Sequence, residues 1–412
     1  MKKRIIALLL CMTTVLSFCA CGSDNKEKDT QEGTQEATAT YNGPASVDME
    51  LDLEKLVKKM PDYKNIKVTI TGDYDVTDEQ VESNILMLLP YYGVTGIEVT
   101  DRDIVEEDDY VKIDYTGYKD DVAFEGGKAE DVTMDIKNNM DISSQSKYID
   151  GFCDDLAGKK VGDEVDTNVT FPEDYGTADL AGQPAVFKIK IKGIYTPVTM
   201  ENLTDDMVKE AFKEEKLDTN EKLETKEDLK KHVRNLLENQ AANNKSQASL
   251  NEVQTYMLTG SEVEIPEEYL EARLAEYQAS FEKNLTSSGQ TMADYLKSNG
   301  TTMEDLKESW KMDLQDTIKM EFVFGRIADL ENVEIKEEDF KEFVQYIIDS
   351  SSGMMADETA VYEYYGAGKK ENGEKMLRQM YRVNTALSQV VEDADITVEK
   401  PADTEEEENG AN

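Results

Sequence analysis

Two aromatic side chains, Tyr115 and Phe124, stand in the stretch IDYTGYKDDVAFEGGKAE, which reads as strand, turn, strand and a Gly126-Gly127 bend. Aromatic residues placed this way either fill a core or wall an apolar pocket, and the stretch alone leaves both open. Acid–base and metal chemistry have little to work with. The single histidine, His232, lies in LKKHVRNLL, a helical pattern that places it at a surface or boundary. One histidine excludes a His-cluster metal site. The acidic run DRDIVEEDD lacks the spaced ligands and turn glycine of an EF-hand loop, so it reads as solvated surface. No cofactor and no metal is expected.

The elements that must position the aromatics follow from periodicity. YVKIDYTGY, DVTMDI, EVDTNVTF and AVFKIKIKGI alternate apolar and polar residues, with Gly, Asp and Asn between them. One short helix fits YIDGFCDDLAG. Strands with one helix and no βαβ repeat predict an α+β domain over residues 101–196, an antiparallel sheet wrapped on a short helix. Before it, residues 47–100 read as helix, strand and helix, the last opened by the cap pair Thr77 and Gln80 and stopped at Pro90. After it, residues 197–398 carry amphipathic helices that together predict an extended all-α domain. Leu229, Val233, Leu236 and Leu237 make one stripe, and Leu306, Trp310, Leu314, Ile318 and Phe322 another, behind the cap pair Thr302 and Asp305.

The chain has 412 residues and a formal net charge of −43. Its length predicts about two or three domains. Its 45 basic against 88 acidic residues exclude a nucleic-acid binder, which needs a basic face. Residues 1–20 have a basic start at Lys2, Lys3 and Arg4 followed by a short apolar run, the pattern of a secretory signal. The sequence FCACGS that follows resembles the lipobox of bacterial lipoproteins, which implies lipidation of Cys21 and anchorage to the membrane. Cys11 and Cys19 would leave with the signal, so Cys153 would remain as a packing residue without a disulfide partner. Residues 21–46 then read as a polar, disordered tether and residues 399–412 as an acidic tail.

The segments DYVKIDYTGYKDDVAFEGGKAEDVTMDI, YIDGFCDDLAGKKVGDEVDTNVTFPEDYG and LAGQPAVFKIKIKGI resemble the FKBP-type peptidyl-prolyl isomerase domain, in the version found in trigger factor. The likeness extends to YKNIKVTITGDYDVTDEQVESNI before it, and to VEIPEEYLEARLAEYQASF and MADYLKSNGTTMEDLKESW in the helical region. By position in those motifs, the resemblance implies pocket walls at Tyr115, Phe124, Tyr148, Ile149, Phe152 and Phe187. It places the Tyr175 hydroxyl as a hydrogen-bond donor to bound backbone, and Glu125 beside the pocket. Asp150 stands where the family usually has proline, and KNNMDISSQSKYID is longer than the matching loop, which implies a reshaped wall. No ribosome-docking segment is found between Cys21 and Tyr63, so ribosome binding is not carried over.

With the lipobox, the resemblance implies an extracytoplasmic, lipid-anchored folding factor that isomerises X–Pro bonds and binds unfolded or newly exported chains. Scattered methionines (Met257, Met292, Met303, Met312, Met320, Met376 and Met380) suit promiscuous apolar contact. The alternative is a non-catalytic holdase or scaffold with a degenerate FKBP-like domain. A solute-binding lipoprotein would need alternating strands and helices in two lobes, which the sequence lacks.

Overall fold

Alternation builds the sheet. A computed structural model describes residues 46–213, 222–366 and 368–401, so the signal, Cys21, nearly all of the tether and residues 402–412 lie outside the described residues. Strands β4 (Tyr110–Lys119), β5 (Val122–Asp135), β8 (Glu164–Thr170) and β9 (Pro184–Thr196) carry the expected inward and outward residues. Three short strands complete an antiparallel sheet of seven: β3 (Ile97–Glu98), β6 (Met140–Asp141) and β7 (Ser146–Lys147). The order is β3-β9-β4-β5-β6-β7, with β8 also paired to β9. Val111, Ile113, Phe187, Ile189 and Ile191 point inward onto Phe152, Cys153 and Leu156.

The segment expected as a short helix forms consecutive turns instead. Phe152, Asp154 and Leu156 donate their backbone N–H groups to Ile149, Gly151 and Cys153 respectively, each three residues back. Gly151 at φ +85° breaks the right-handed backbone that a regular α-helix needs. The sheet still wraps on this stretch, because it delivers Phe152 and Leu156 to the core fully buried.

Two compact units divide the chain, one spanning Tyr74–Ala242 and the other joining residues up to Asp73 with those from Asn243 onward. The first unit holds the sheet and a second core. In that core the helix α2 (Asp78–Leu88), opened by the Thr77–Gln80 capping box, contributes Val81 and Ile85 against Leu203, Val208, Leu229 and Val233.

The second unit is helical, built mainly from α5 (Glu267–Ser287), α7 (Met303–Leu330) and α10 (Lys370–Asp393). The stripe Trp310, Leu314, Ile318 and Phe322 packs on Tyr269, Leu270 and Leu274. Residues 46–73 belong to this unit rather than to a separate domain. Strand β2 (Lys67–Thr71) pairs in parallel with β11 (Asp395–Glu399), at the other end of the sequence. The helix expected over DMELDLEKLVKKM stops after α1 (Leu53–Leu56). Its continuation, β1 (Val57–Lys59), pairs instead with β10 (Glu262–Val263), so long-range backbone pairing overrides local helix propensity.

Candidate active site

The register between β4 and β5 decides where Phe124 goes. Thr116 faces Lys128 and Tyr118 faces Ala123, so the four residues Phe124 to Gly127 oppose Gly117 alone. Such a bulge bends the strand and re-aims its side chains. Gly126 takes φ +79°, which admits the bend. The Phe124 ring then lies over two bare glycine surfaces. A Cβ at Gly117 would stand 2.5 Å from Phe124 Cζ, and one at Gly127 would stand 2.6 Å from Phe124 Cε2. The hairpin that presents Phe124 turns through Asp120 and Asp121, both with positive φ, the backbone of a tight two-residue turn.

Around Phe124 the rings meet edge to face. Phe124 lies 5.8 Å from Phe187 and 5.9 Å from Phe171 between ring centroids. Phe187 lies 5.0 Å from Phe152, which in turn lies 5.1 Å from Tyr115 and 4.9 Å from Tyr148. Phe152, Phe187 and Phe171 are buried, whereas Tyr115, Phe124 and Tyr148 are half-buried and pack on that floor. Aromatic pairs at these spacings hold each other in place beyond simple area burial.

The two tyrosines are joined by a hydrogen bond of 3.0 Å between their hydroxyls. Burial, and then this bond to Tyr115, push the Tyr148 phenol well above the ordinary tyrosine range, so it stays protonated at neutral pH. Cys153, in the same buried core, is pushed up to about 12 by burial and is an inert thiol.

Seven of the eight residues expected at the site are brought together. Tyr115, Phe124, Tyr148, Phe152 and Phe187 form the ring cluster, and Ile149 packs against the same core. Tyr175 is reached through Phe171, at 4.6 Å between rings, and is 43% exposed. Glu125 stays exposed on the bulge next to Phe124.

The long loop does not collapse onto the site. It folds as the β6–β7 hairpin and extends the sheet beyond β5. Asp150 is exposed at its exit. Sequence reasoning passed over Phe171 and Gly117, and read Gly127 only as part of a bend rather than as a surface for the Phe124 ring. Phe171 sits in the FPEDYG run, and its adjacency to that motif was the available signal. The glycines carry no side-chain signal at all.

A sheet wrapped on a turn of buried aromatics, with half-exposed rings above them, defines the class. Residues 102–192 match the family FKBP-type peptidyl-prolyl cis-trans isomerase, and the chain is an enzyme of that type. Residues 225–392 match the family of the bacterial trigger factor protein C-terminus. The trigger factor of Shouchella clausii is 32% identical over 325 residues, covering 78% of this chain and 70% of the relative. That of Agathobacter rectalis is 33% identical over 344 residues, covering 83% and 72%. The chain belongs to the trigger factor family. A solved structure of the trigger factor chaperone covers 78% of this chain at 18% identity, with a TM-score of 0.38, too low to compare arrangements.

Family membership corrects the expectations about place and partners. Trigger factor is a cytoplasmic, ribosome-associated chaperone family. The readings of a lipoprotein, of an extracytoplasmic location, of membrane contact through a lipid on Cys21 and of newly exported clients therefore do not stand. Nor does the exclusion of the ribosome as a partner. The readings of place rested on residues 1–23, which lie outside the described residues, and the ribosome reading on the stretch from Cys21 to Tyr63, described only from residue 46. Among the described residues, no helix is long and apolar enough to cross a membrane.

Proposed function

We propose that the aromatic cluster of Tyr115, Phe124, Tyr148, Ile149, Phe152 and Phe187 is the site of X–Pro isomerisation, and that the helical region binds unfolded polypeptide. An X–Pro bond rotates slowly because its partial double bond sets a barrier of roughly 18–20 kcal/mol. Uncatalysed exchange takes tens to hundreds of seconds, by order of magnitude, at ~25 °C. The planar amide is charge-separated and keeps that charge best in water. A dry apolar wall withdraws solvation from the planar form more than from the twisted one, and so lowers the barrier. No acid, base or metal takes part.

The observation that carries the reading is the layering of half-exposed Tyr115, Phe124 and Tyr148 over buried Phe152 and Phe187. A prolyl ring seated on that layer loses water without displacing the core. On this reading Tyr175, exposed beside Phe171, donates its hydroxyl to the bound backbone, and Glu125, exposed next to Phe124 in the chain, meets the bound segment from the solvent side. This reading displaces the non-catalytic alternative, which a degenerate aromatic layer would have favoured.

Exchange spectroscopy of a proline peptide with the full chain tests it. Catalysed exchange that falls strongly in Phe124→Ala, and less in Tyr175→Phe, is the expected result. Rates equal to the peptide alone would overturn the reading. For the helical region, Met312 is 63% exposed, whereas Met257 is fully buried, so Met312 is the better candidate for client contact. Failure of the full chain to suppress aggregation of an unfolded client at equal concentration would overturn that part.

A further inference from the structure

The inserted hairpin carries one residue whose hydrogen bonds all converge on the site. Asn139, at the base of β6, adopts φ +53°, a left-handed backbone that asparagine tolerates better than most residues. Its side-chain Nδ2 donates to the backbone carbonyls of both Tyr148, at 3.0 Å, and Ile149, at 2.8 Å. Its own carbonyl accepts from the Tyr148 N–H at 2.9 Å. Three hydrogen bonds from one residue therefore fix two successive residues of the proposed pocket wall.

The amide orientation is dictated by this contact. With Nδ2 and Oδ1 exchanged, an oxygen would face two carbonyl oxygens. In the orientation adopted, both Nδ2 hydrogens are used, and Oδ1 is buried with no hydrogen-bond partner among the described residues. The arrangement thus keeps the two donors on the wall at the expense of the acceptor.

The base of the clamp is itself held. Asn138 donates its backbone N–H, at 3.0 Å, and its side-chain Nδ2, at 2.7 Å, to the carboxylate of Asp135, which is buried at the end of β5. From sheet to Asn139 to Tyr148, and through the Tyr148 hydroxyl to Tyr115 on β4, the linkage closes on the sheet again.

We infer that Asn139 is a positioning residue for prolyl isomerisation: it holds the Tyr148–Ile149 backbone still while the bound amide twists. The inference rests on the aromatic cluster being the isomerase site. A wall that must favour a twisted geometry over a planar one has to keep its place through the reaction, and a segment at the exit of a hairpin keeps it only if its backbone is tied down.

The test measures kcat and KM for proline-peptide isomerisation by the full chain in three variants. Asn139→Gly removes the amide but admits the positive φ, and Asn139→Asp keeps the shape but loses both donors. Ser144→Ala removes only the 2.9 Å hydrogen bond to Asp141 at the hairpin tip and serves as a control for loosening the loop as such. The expected result is a fall of roughly ten- to a hundredfold in kcat for both Asn139 variants. KM should stay within roughly twofold, because the apolar surface offered to the ground state is unchanged. Ser144→Ala should match wild type, and circular dichroism should report the same folded content in all three.

An active wild type with both Asn139 variants at wild-type kcat overturns the clamp alone, as does an equal loss in Ser144→Ala. An inactive wild type overturns the isomerase reading and the clamp with it.

Discussion

The Phe124 ring reaches over Gly117 with its edge, and Cζ stands 2.5 Å from where a Cβ would be. The same absent Cβ would stand 2.7 Å from Phe187, so Gly117 is the point at which the two rings share a floor. Gly117→Ala must push one ring or bend the strand, and overpacking of this kind costs about 1–3 kcal/mol. The expected outcome is a lower unfolding midpoint together with a large loss of isomerase activity. In a double-mutant cycle with Phe124→Ala the two changes should fail to add, because removing the ring removes part of the clash. Additive effects would show that the contact carries no energy.

Phe152 and Phe124 should separate stability from activity. Phe152 is fully buried, and Phe152→Ala is expected to cost about 3–5 kcal/mol. Phe124 is half-buried, so Phe124→Ala should cost less stability while removing more of the surface offered to a prolyl ring. Hydrogen exchange of the β9 amides around Ile189 and Ile191 reads the stability of this sheet directly, and peptide exchange reads the activity. Equal ratios of the two losses in both variants would contradict the division into floor and wall.

The raised Tyr148 phenol gives a pH dependence with a definite sign. The folded chain keeps this proton at pH values where the unfolded chain loses it, and an unfolded tyrosine titrates near about 10. The contribution to stability is therefore fully present below about pH 10 and is lost as pH rises above it. Tyr148→Phe should flatten the decline of the sheet's stability above about pH 10, followed by the same β9 amides. Isomerisation by wild type should show no Tyr148 titration between about pH 6 and 9. A decline that is the same in both proteins would assign the alkaline loss to other groups.

In the helical unit, Arg273 and Glu321 form a two-point ion pair, at 2.7 and 3.1 Å, with the side chains only 12% and 15% exposed. Tyr269 accepts a further hydrogen bond from Arg273 at 3.1 Å. Removing Glu321 leaves the buried guanidinium only the looser contact to Glu276 at 3.8 Å, so Glu321→Ala is expected to cost up to about 3–5 kcal/mol. Glu321→Gln, which keeps one acceptor, should cost less. Thermal unfolding of the two variants checks the order, and a neutral Glu321→Ala would show that Glu276 or water already compensates the guanidinium.

Cys153 supplies an internal probe of opening. Burial raises the thiol to about 12, and the side chain is 2% exposed. Alkylation at Cys153, followed by peptide mass analysis, should be slow in the native chain and fast in Phe152→Ala, which removes a large side chain from the core that buries the thiol. Fast labelling of wild type would place the thiol at the surface.

Much of this was legible in local sequence. Alternation in AVFKIKIKGI put Phe187, Ile189 and Ile191 on one face, and they share one core. The cap pairs Thr77 with Gln80 and Thr302 with Asp305 both form capping boxes. The aromatic residues expected from the family motifs do meet as one cluster. Place and partners were misread because a basic, apolar start and a small-residue motif before Cys21 were given more weight than the trigger factor likeness, which covers most of the chain.

The sequence by itself determined which faces are apolar, where helices begin and which aromatic residues stand available, since each of these depends on neighbours within a few positions. The tertiary structure alone decided that Phe124 to Gly127 would bulge against Gly117, that Asn139 would tie down Tyr148 and Ile149, and that β2 would pair with β11 from the opposite end of the chain. Those relationships run through backbone groups and missing side chains, joined at Asn139 by one side-chain amide. Every residue except proline carries the same backbone donor and acceptor, so only the packing of the whole fold selects which of them meet.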